Sequence, residues 1–184
     1  MAGFDELFRA LRSIPNQVDA ASKRGLKRGA AIVAGKAKSK LGTYQSGFGP
    51  YPAWAKLRPE TVRRKHMSVK GGLTRAGKKY LKKHGSWGAG GNDDSPLVNT
   101  GLLRQAITTD DSQLNSNGVM YVGVAAGKDG KGKGSPGDYA AAHEFGYAPK
   151  NIPPRPFLRP ALHESQEAIK DAVAKELQKE LRRL

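Results

Sequence analysis

His143 and Glu144, followed closely by Gly146, set an imidazole beside a carboxylate, groups suited to proton transfer or metal ligation. The zinc-protease pattern H-E-x-x-H needs a second histidine one helical turn on, and position 147 is Tyr. His163 lies beyond several prolines and has no visible co-ligands. The pair therefore reads as a hydrogen-bonding pair at a helix end. Gly127 to Gly134, GKDGKGKG, matches the G-x-x-x-x-G-K frame of a phosphate-binding loop. The next residue is Gly134 where magnesium chemistry needs Ser or Thr, and Ser135-Pro136 stands where a helix should start. Asp93-Asp94 and Asp110-Asp111 fall in loop-like sequence and are expected to face solvent without partners. No nucleophile, base and oxyanion site assemble, so the chain is expected not to be an enzyme and to need no cofactor.

Composition narrows the classes further. The absence of cysteine excludes disulfides, thiolate catalysis and cysteine-type zinc or iron–sulfur sites. No apolar run is long enough to cross a bilayer, and the acidic N-terminus is unlike a signal peptide, which predicts a soluble, unexported chain without a membrane partner. Of 184 residues, 32 are Lys or Arg and 16 are Asp or Glu. Between Ser22 and Gly85 there are 18 bases against the single acid Glu60, and the remainder is close to neutral. Such a field suits a polyanion or an acidic protein surface, or it solvates the chain. Lys78, Lys79, Lys82 and Lys83, with Tyr80 and Trp87 nearby, join phosphate-seeking charge to stacking rings. Arg63, Arg64 and Lys65 extend the same candidate surface. Contact with nucleic acid there would be indifferent to sequence.

Those residues must be positioned by recognisable elements. FDELFRAL, Phe4 to Leu11, has helical spacing and is expected to end at Pro15. A second helix should run from Asn16 to about Leu41, with Val18, Leu26, Ile32 or Val33, Ala37 and Leu41 inward. Gly25, Gly29 and Gly35 each weaken it by roughly 1 kcal/mol relative to alanine, but would let another element pack closely. Pro59 to Met67 forms a short helix, and Ser68 to Ser95 has few apolar anchors, so it should be mobile until bound. Leu102 to Ile107 begins a short helix or strand, and Asn117-Gly118 turns into a strand over Val119 to Val124. Ser135, Pro136, Asp138 and Gly146 bracket a capped short helix. From Pro160 a terminal helix should carry Leu162, Ile169, Val173, Leu177, Leu181 and Leu184 on one stripe. The fold class expected is α+β: long N- and C-terminal helices on a small, mainly antiparallel sheet, with long basic glycine-rich loops. The single domain divides into 1–41 helices, a 42–95 basic loop-rich region, 96–158 with sheet, short helix and proline-rich arm, and a 159–184 helix.

Four ordered segments, WAKLRPETVRRKH, PLVNTGLLRQAI, YAAAHEFG and IPPRPFLRPAL, together resemble phage tail-completion or neck proteins of the virion-morphogenesis, tail-component type. The resemblance runs from about Trp54 to Leu162. It implies a virion protein made in the host cytoplasm, without catalysis or cofactor, that joins head to tail. The implied partners are further copies in a ring matched to sixfold symmetry, neighbouring neck, head-closure and tail-terminator or tail-tube proteins, and packaged DNA if the basic region reaches it. Physically, Pro153, Pro154, Pro156 and Pro160 pre-order an arm that loses little entropy on docking. Arg155, Phe157, Leu158 and Arg159 on that arm, with His143, Glu144 and Phe145, are the candidate interface residues. The alternatives are that Phe157 and Leu158 pack inside their own domain, and that the chain works as a sequence-nonspecific nucleic-acid binder.

Overall fold

The computed structural model describes residues 2–126 and 135–183, with side chains from Arg12 onward. The phosphate-loop frame, Gly127 to Gly134, and Leu184 lie outside the described residues. The chain is α+β, 58% helical, with one small antiparallel sheet. Its elements are α1 (Ala2–Lys40), α2 (Pro59–Lys65), α3 (Arg75–His84), α4 (Leu102–Ala106), β1 (Ile107–Asp110), α5 (Leu114–Asn117), β2 (Tyr121–Val124), α6 (Pro136–Phe145), α7 (Leu158–Glu164) and α8 (Gln166–Leu181). β1 and β2 are the two paired strands, and the Asn117-Gly118 turn between them keeps Gly118 at φ +67°. No helix among the described residues is long and apolar enough to cross a membrane.

One helix replaces the two expected before residue 41, because α1 continues through Pro15. Proline removes one backbone donor, and Pro15 lies on an exposed face where water can serve the carbonyl left without it. The terminal helix is instead divided at Ser165, whose φ of −101° and ψ of 2° tighten the chain between α7 and α8. Leu162 and Leu181, expected on the inner stripe, are 52% and 57% exposed. Ile32 is exposed as well, while Val33, Ala37 and Leu41 are buried as expected.

The residues form two compact units. The first comprises residues 1–36, 109–123 and 161–184. Its α1 segment buries a row of small residues at every fourth position, Ala21, Gly25 and Gly29 leading to Val33. α8 packs on that row. A Cβ on Gly25 would lie 2.5 Å from Val173 Cα, and one on Gly29 would lie 3.0 Å from Ile169 Cγ2. The two backbones approach too closely for any larger residue. Glu176 of α8 is almost fully buried, yet it takes Arg24 Nε at 3.2 Å and Arg28 Nη1 at 2.6 Å. Hydrogen bonding from Arg24 holds its carboxyl below the usual range, against the opposing effect of burial. Glu176 and Ala172 are buried on α8, whereas Leu181 is exposed. Asp111, expected to be unpartnered, accepts Lys27 Nζ at 2.7 Å.

The second unit comprises residues 37–108 and 124–160 and is described with the site below. Within the first, Gly25→Ala should lower stability by about 1–3 kcal/mol through overpacking, despite its better helix propensity. Gly35 is exposed with nothing within 4 Å of a would-be Cβ. Gly35→Ala should therefore raise stability by roughly 0.5–1 kcal/mol. Opposite shifts in urea midpoints test both, and equal shifts would refute the packing account.

Candidate functional site

The segment with the His-Glu pair begins with a reciprocal cap. Ser135 Oγ accepts from Asp138 N at 3.3 Å, and Asp138 Oδ2 accepts from Ser135 N at 3.0 Å, with Pro136 at the first position of α6. The helix stops at Gly146, whose φ of +82° only glycine adopts easily and whose would-be Cβ would sit 3.1 Å from Pro154 Cδ. The chain then folds back through the bridge Tyr147 to Ile152 and runs its prolines along α6. Arg155 N donates to His143 O at 2.6 Å, which sets the register of the two segments.

Glu144 joins the returning arm to the helix. Its Oε2 accepts from Phe157 N at 2.6 Å and Leu158 N at 3.0 Å, and its Oε1 accepts from Arg159 N and Arg159 Nε, each at 3.0 Å. Arg159 Nη2 returns a bond to Glu144 O at 2.9 Å. The carboxylate thus satisfies the orphan donors at the start of α7. Arg155 faces the other way and forks onto Ala55 O with Nε at 3.1 Å and Nη2 at 2.9 Å. Trp54 Nε1 donates to Pro156 O at 3.0 Å.

The expected interface is corrected by this geometry. Arg155, Glu144 and Phe157 are 4%, 3% and 0% exposed, so they hold the unit together from inside instead of reaching a partner. Phe157 fills the interior because the arm is bonded down on both sides. Leu158 is half-buried. Phe145, at 66% exposure, remains at the surface, and the Arg159 guanidinium lies 4.5 Å from its ring centroid and 5.6 Å from that of Tyr51. Tyr147, which sequence reading passed over, is 43% exposed and lines a groove of about 570 Å³ with Phe145, Tyr139 and Ile152. Its only signal was an aromatic directly after a helix-ending glycine.

His143 faces a second cavity, of about 420 Å³, lined by Leu57, Thr61, Lys65, Leu97, Leu103 and Tyr139 among others. Its Nδ1 is buried without a hydrogen-bond partner. Burial, reinforced by the charges of Arg155 and Lys65, lowers its pKa to about 4. Lys65 donates to Asp94 O at 3.0 Å and to Ser95 O, and burial lowers its pKa to about 8 against the attraction of Asp94. The polar residues lining this cavity are Thr61, Lys65, Asn99, Thr100, Tyr139 and His143, with no carboxylate or thiol among them. Among the described residues no group of three His, Cys, Asp or Glu could hold a metal ion.

The basic segment is ordered, contrary to the expectation of mobility. Thr74 caps α3, accepting from Gly77 N at 3.0 Å, while its own N–H and hydroxyl donate to His66 O. Trp87 stacks on His66 and Tyr80 with ring centroids 5.5 and 5.3 Å apart. Asp94, expected to be exposed, is 1% exposed and accepts the Tyr80 and Tyr44 hydroxyls. Asp93 binds Lys83 and His84, and their hydrogen bonds hold its carboxyl below the usual range. Of the expected polyanion contacts, Lys65 is therefore spent on carbonyls and Lys83 on Asp93. Arg63, Arg64, Lys78, Lys79 and Lys82 remain exposed. Tyr80 is buried in the packing of α3, and Trp87, half-buried, stacks on it and on His66.

No family model, curated protein or solved structure matches the chain.

Glu144→Gln should lower stability by roughly 2–4 kcal/mol, because the amide turns donors toward donors and loses its charge. Urea unfolding and faster hydrogen exchange at the Phe157 to Arg159 amides check it. His143 has a separate pH signature. The unfolded imidazole protonates near 6.5 and the folded one near 4, so the unfolded state binds the extra proton between them. Stability should be complete above about pH 6.5 and fall by up to about 3 kcal/mol toward pH 4. His143→Gln should flatten that part of a stability–pH curve.

Proposed function

We propose that the chain is a structural protein of a phage particle, a neck or tail-completion component that joins tail to head by non-covalent docking. One observation carries this reading: the four segments that resemble such proteins hold one another in the folded unit. The first and fourth segments are bonded through Trp54 to Pro156 O and through Arg155 to Ala55 O. The third and fourth meet at Glu144. The second supplies α4, which packs against α6 of the third. Residues up to about a hundred positions apart thus serve a common scaffold, which is the coherence expected if the resemblance is real. Trp54, Glu144, Arg155 and Arg159 of those segments are bonded to backbone partners within the unit, which supports a role as a shaped scaffold.

That surface is the exposed set Phe145, Tyr147 and Arg159. Aromatic and arginine side chains dominate interface energetics, the aromatics because they bury large areas with little lost rotamer freedom and arginine because its planar fork makes several directed bonds. Glu144 fixes the Arg159 guanidinium before any partner arrives, which lowers the ordering cost of docking. A ring of identical copies in the virion, set among neck and tail proteins, is the assembly this reading implies.

Electron microscopy of particles from infected cells tests the proposal. Phe145→Ser combined with Tyr147→Ser should leave heads and tails unjoined. Both side chains are exposed, so the purified variant should keep its melting behaviour within about 0.5 kcal/mol. Absence of the chain from purified particles would refute the reading.

A further inference from the structure

We propose that the outer face of α3, with the adjoining end of α2, is a phosphate-binding surface for duplex DNA. Charge supports this first. The described residues of the second unit hold 17 Lys or Arg against five Asp or Glu. Of those five, Asp94 and Glu144 are buried and bonded within the unit, and Asp93 is occupied by Lys83 and His84. Only Glu60 and Asp138 are left to oppose the exposed cations, and Asp138 is engaged by the cap of α6.

Geometry makes this charge a surface. α3 buries Gly77 and Tyr80, and at 100° per residue Arg75, Lys78, Lys79 and Lys82 fall within an arc of about 100° on the opposite side. All four are exposed, and the three lysines have no acidic partner among the described residues. They span about 10 Å along the helix, the axial length of about three phosphates on one DNA strand. Arg63 and Arg64 in the last turn of α2 are joined to this helix through His66, whose carbonyl takes both donors of Thr74. The Trp87, His66 and Tyr80 stack, with Tyr80 bonded to Asp94, holds α3 in a fixed orientation.

The chemistry of the face favours nucleic acid over an acidic protein. Protein interfaces have an apolar or aromatic centre and are poor in lysine. The outward positions of α3 are lysines and an arginine with no apolar anchor among them, unlike the patch around Phe145. Cations on flexible stems contact phosphates without reading bases, so the binding is indifferent to sequence.

The test uses the full chain and a fluorescent 20-base-pair duplex, with affinity measured between 50 and 200 mM salt. The six named cations predict a slope of log affinity against log salt near −5, about 0.9 per phosphate contact. Lys78→Gln, Lys79→Gln and Lys82→Gln together should reduce the slope by about 2.7 and weaken binding at least tenfold at 100 mM salt, with an unchanged circular dichroism spectrum. A charge-matched control on the other unit, Lys175→Gln, Lys179→Gln and Arg182→Gln, should leave the slope unchanged. The proposal is overturned if the α3 variant binds like the parent, or if the control loses as much. It is also overturned if polyglutamate of equal charge competes as well as unlabelled DNA, which would assign the face to an acidic protein. This surface does not depend on the neck reading: particles lacking the chain would leave DNA binding intact, and loss of DNA binding would leave docking through Phe145 untouched.

Discussion

A buried carboxylate surrounded by backbone donors is the constraint on which the second unit depends. Removing Glu144 from water is costly unless its charge is met, and here it is met by three amide protons and one guanidinium proton. Arg155 is the complementary case, a buried cation satisfied by carbonyls of Ala55 and Lys56. The two charges do not pair with each other. Each is used to fix backbone that could not bond to itself, because a chain rich in proline has few donors for a sheet or helix. The arm is rigid because its polar partners are supplied by side chains from elsewhere.

The first unit solves a related problem with Glu176. A row of small residues lets α1 and α8 approach closely, which improves dispersion contact but leaves little room for bulky apolar side chains. Specificity then has to come from charge, and Arg24 and Arg28 supply it from adjacent turns of α1. Gly25 and Gly29 are unfavourable for an isolated helix and favourable for this packed one, since the lost propensity is offset where the backbones meet.

How much of this could be read beforehand depended on whether a feature was local. The cap of α6 and its stop at Gly146 follow from residue types within a few positions, whereas Gly25 and Gly29 marked a place for close packing without naming Val173 and Ile169 as the partners. The α+β class and the terminal helices were legible from periodicity. The roles of Arg155, Glu144 and Asp94 were not, because each is decided by a partner 13 to 100 positions away. Arginine and phenylalanine beside prolines look the same in sequence whether the arm projects or is bonded down. Order in the basic segment was missed for the same reason: apolar content there is low, and stacked rings with one buried aspartate take the place of an aliphatic core. Pro15 misled in the opposite direction, since an exposed position lets a long helix tolerate a proline.

The interior also bears on the surface. Acids in the second unit are few, and the unit spends two of them, Glu144 and Asp94, on internal donors. Glu144 is shared among three amides and Arg159, and Asp94 takes two tyrosine hydroxyls, so neither carboxylate is paired with the lysines of α3. Asp93 pairs with Lys83 and bonds His84 on one flank only, and Lys78, Lys79 and Lys82 have no acidic partner among the described residues on the other. The aromatic set around Phe145 has a different origin, since it stands where α6 ends and Glu144 has already fixed Arg159. The unit thus carries two surfaces of unlike chemistry. One should respond steeply to salt and the other hardly at all, because screening weakens exposed charge and leaves the burial of aromatic area nearly unchanged.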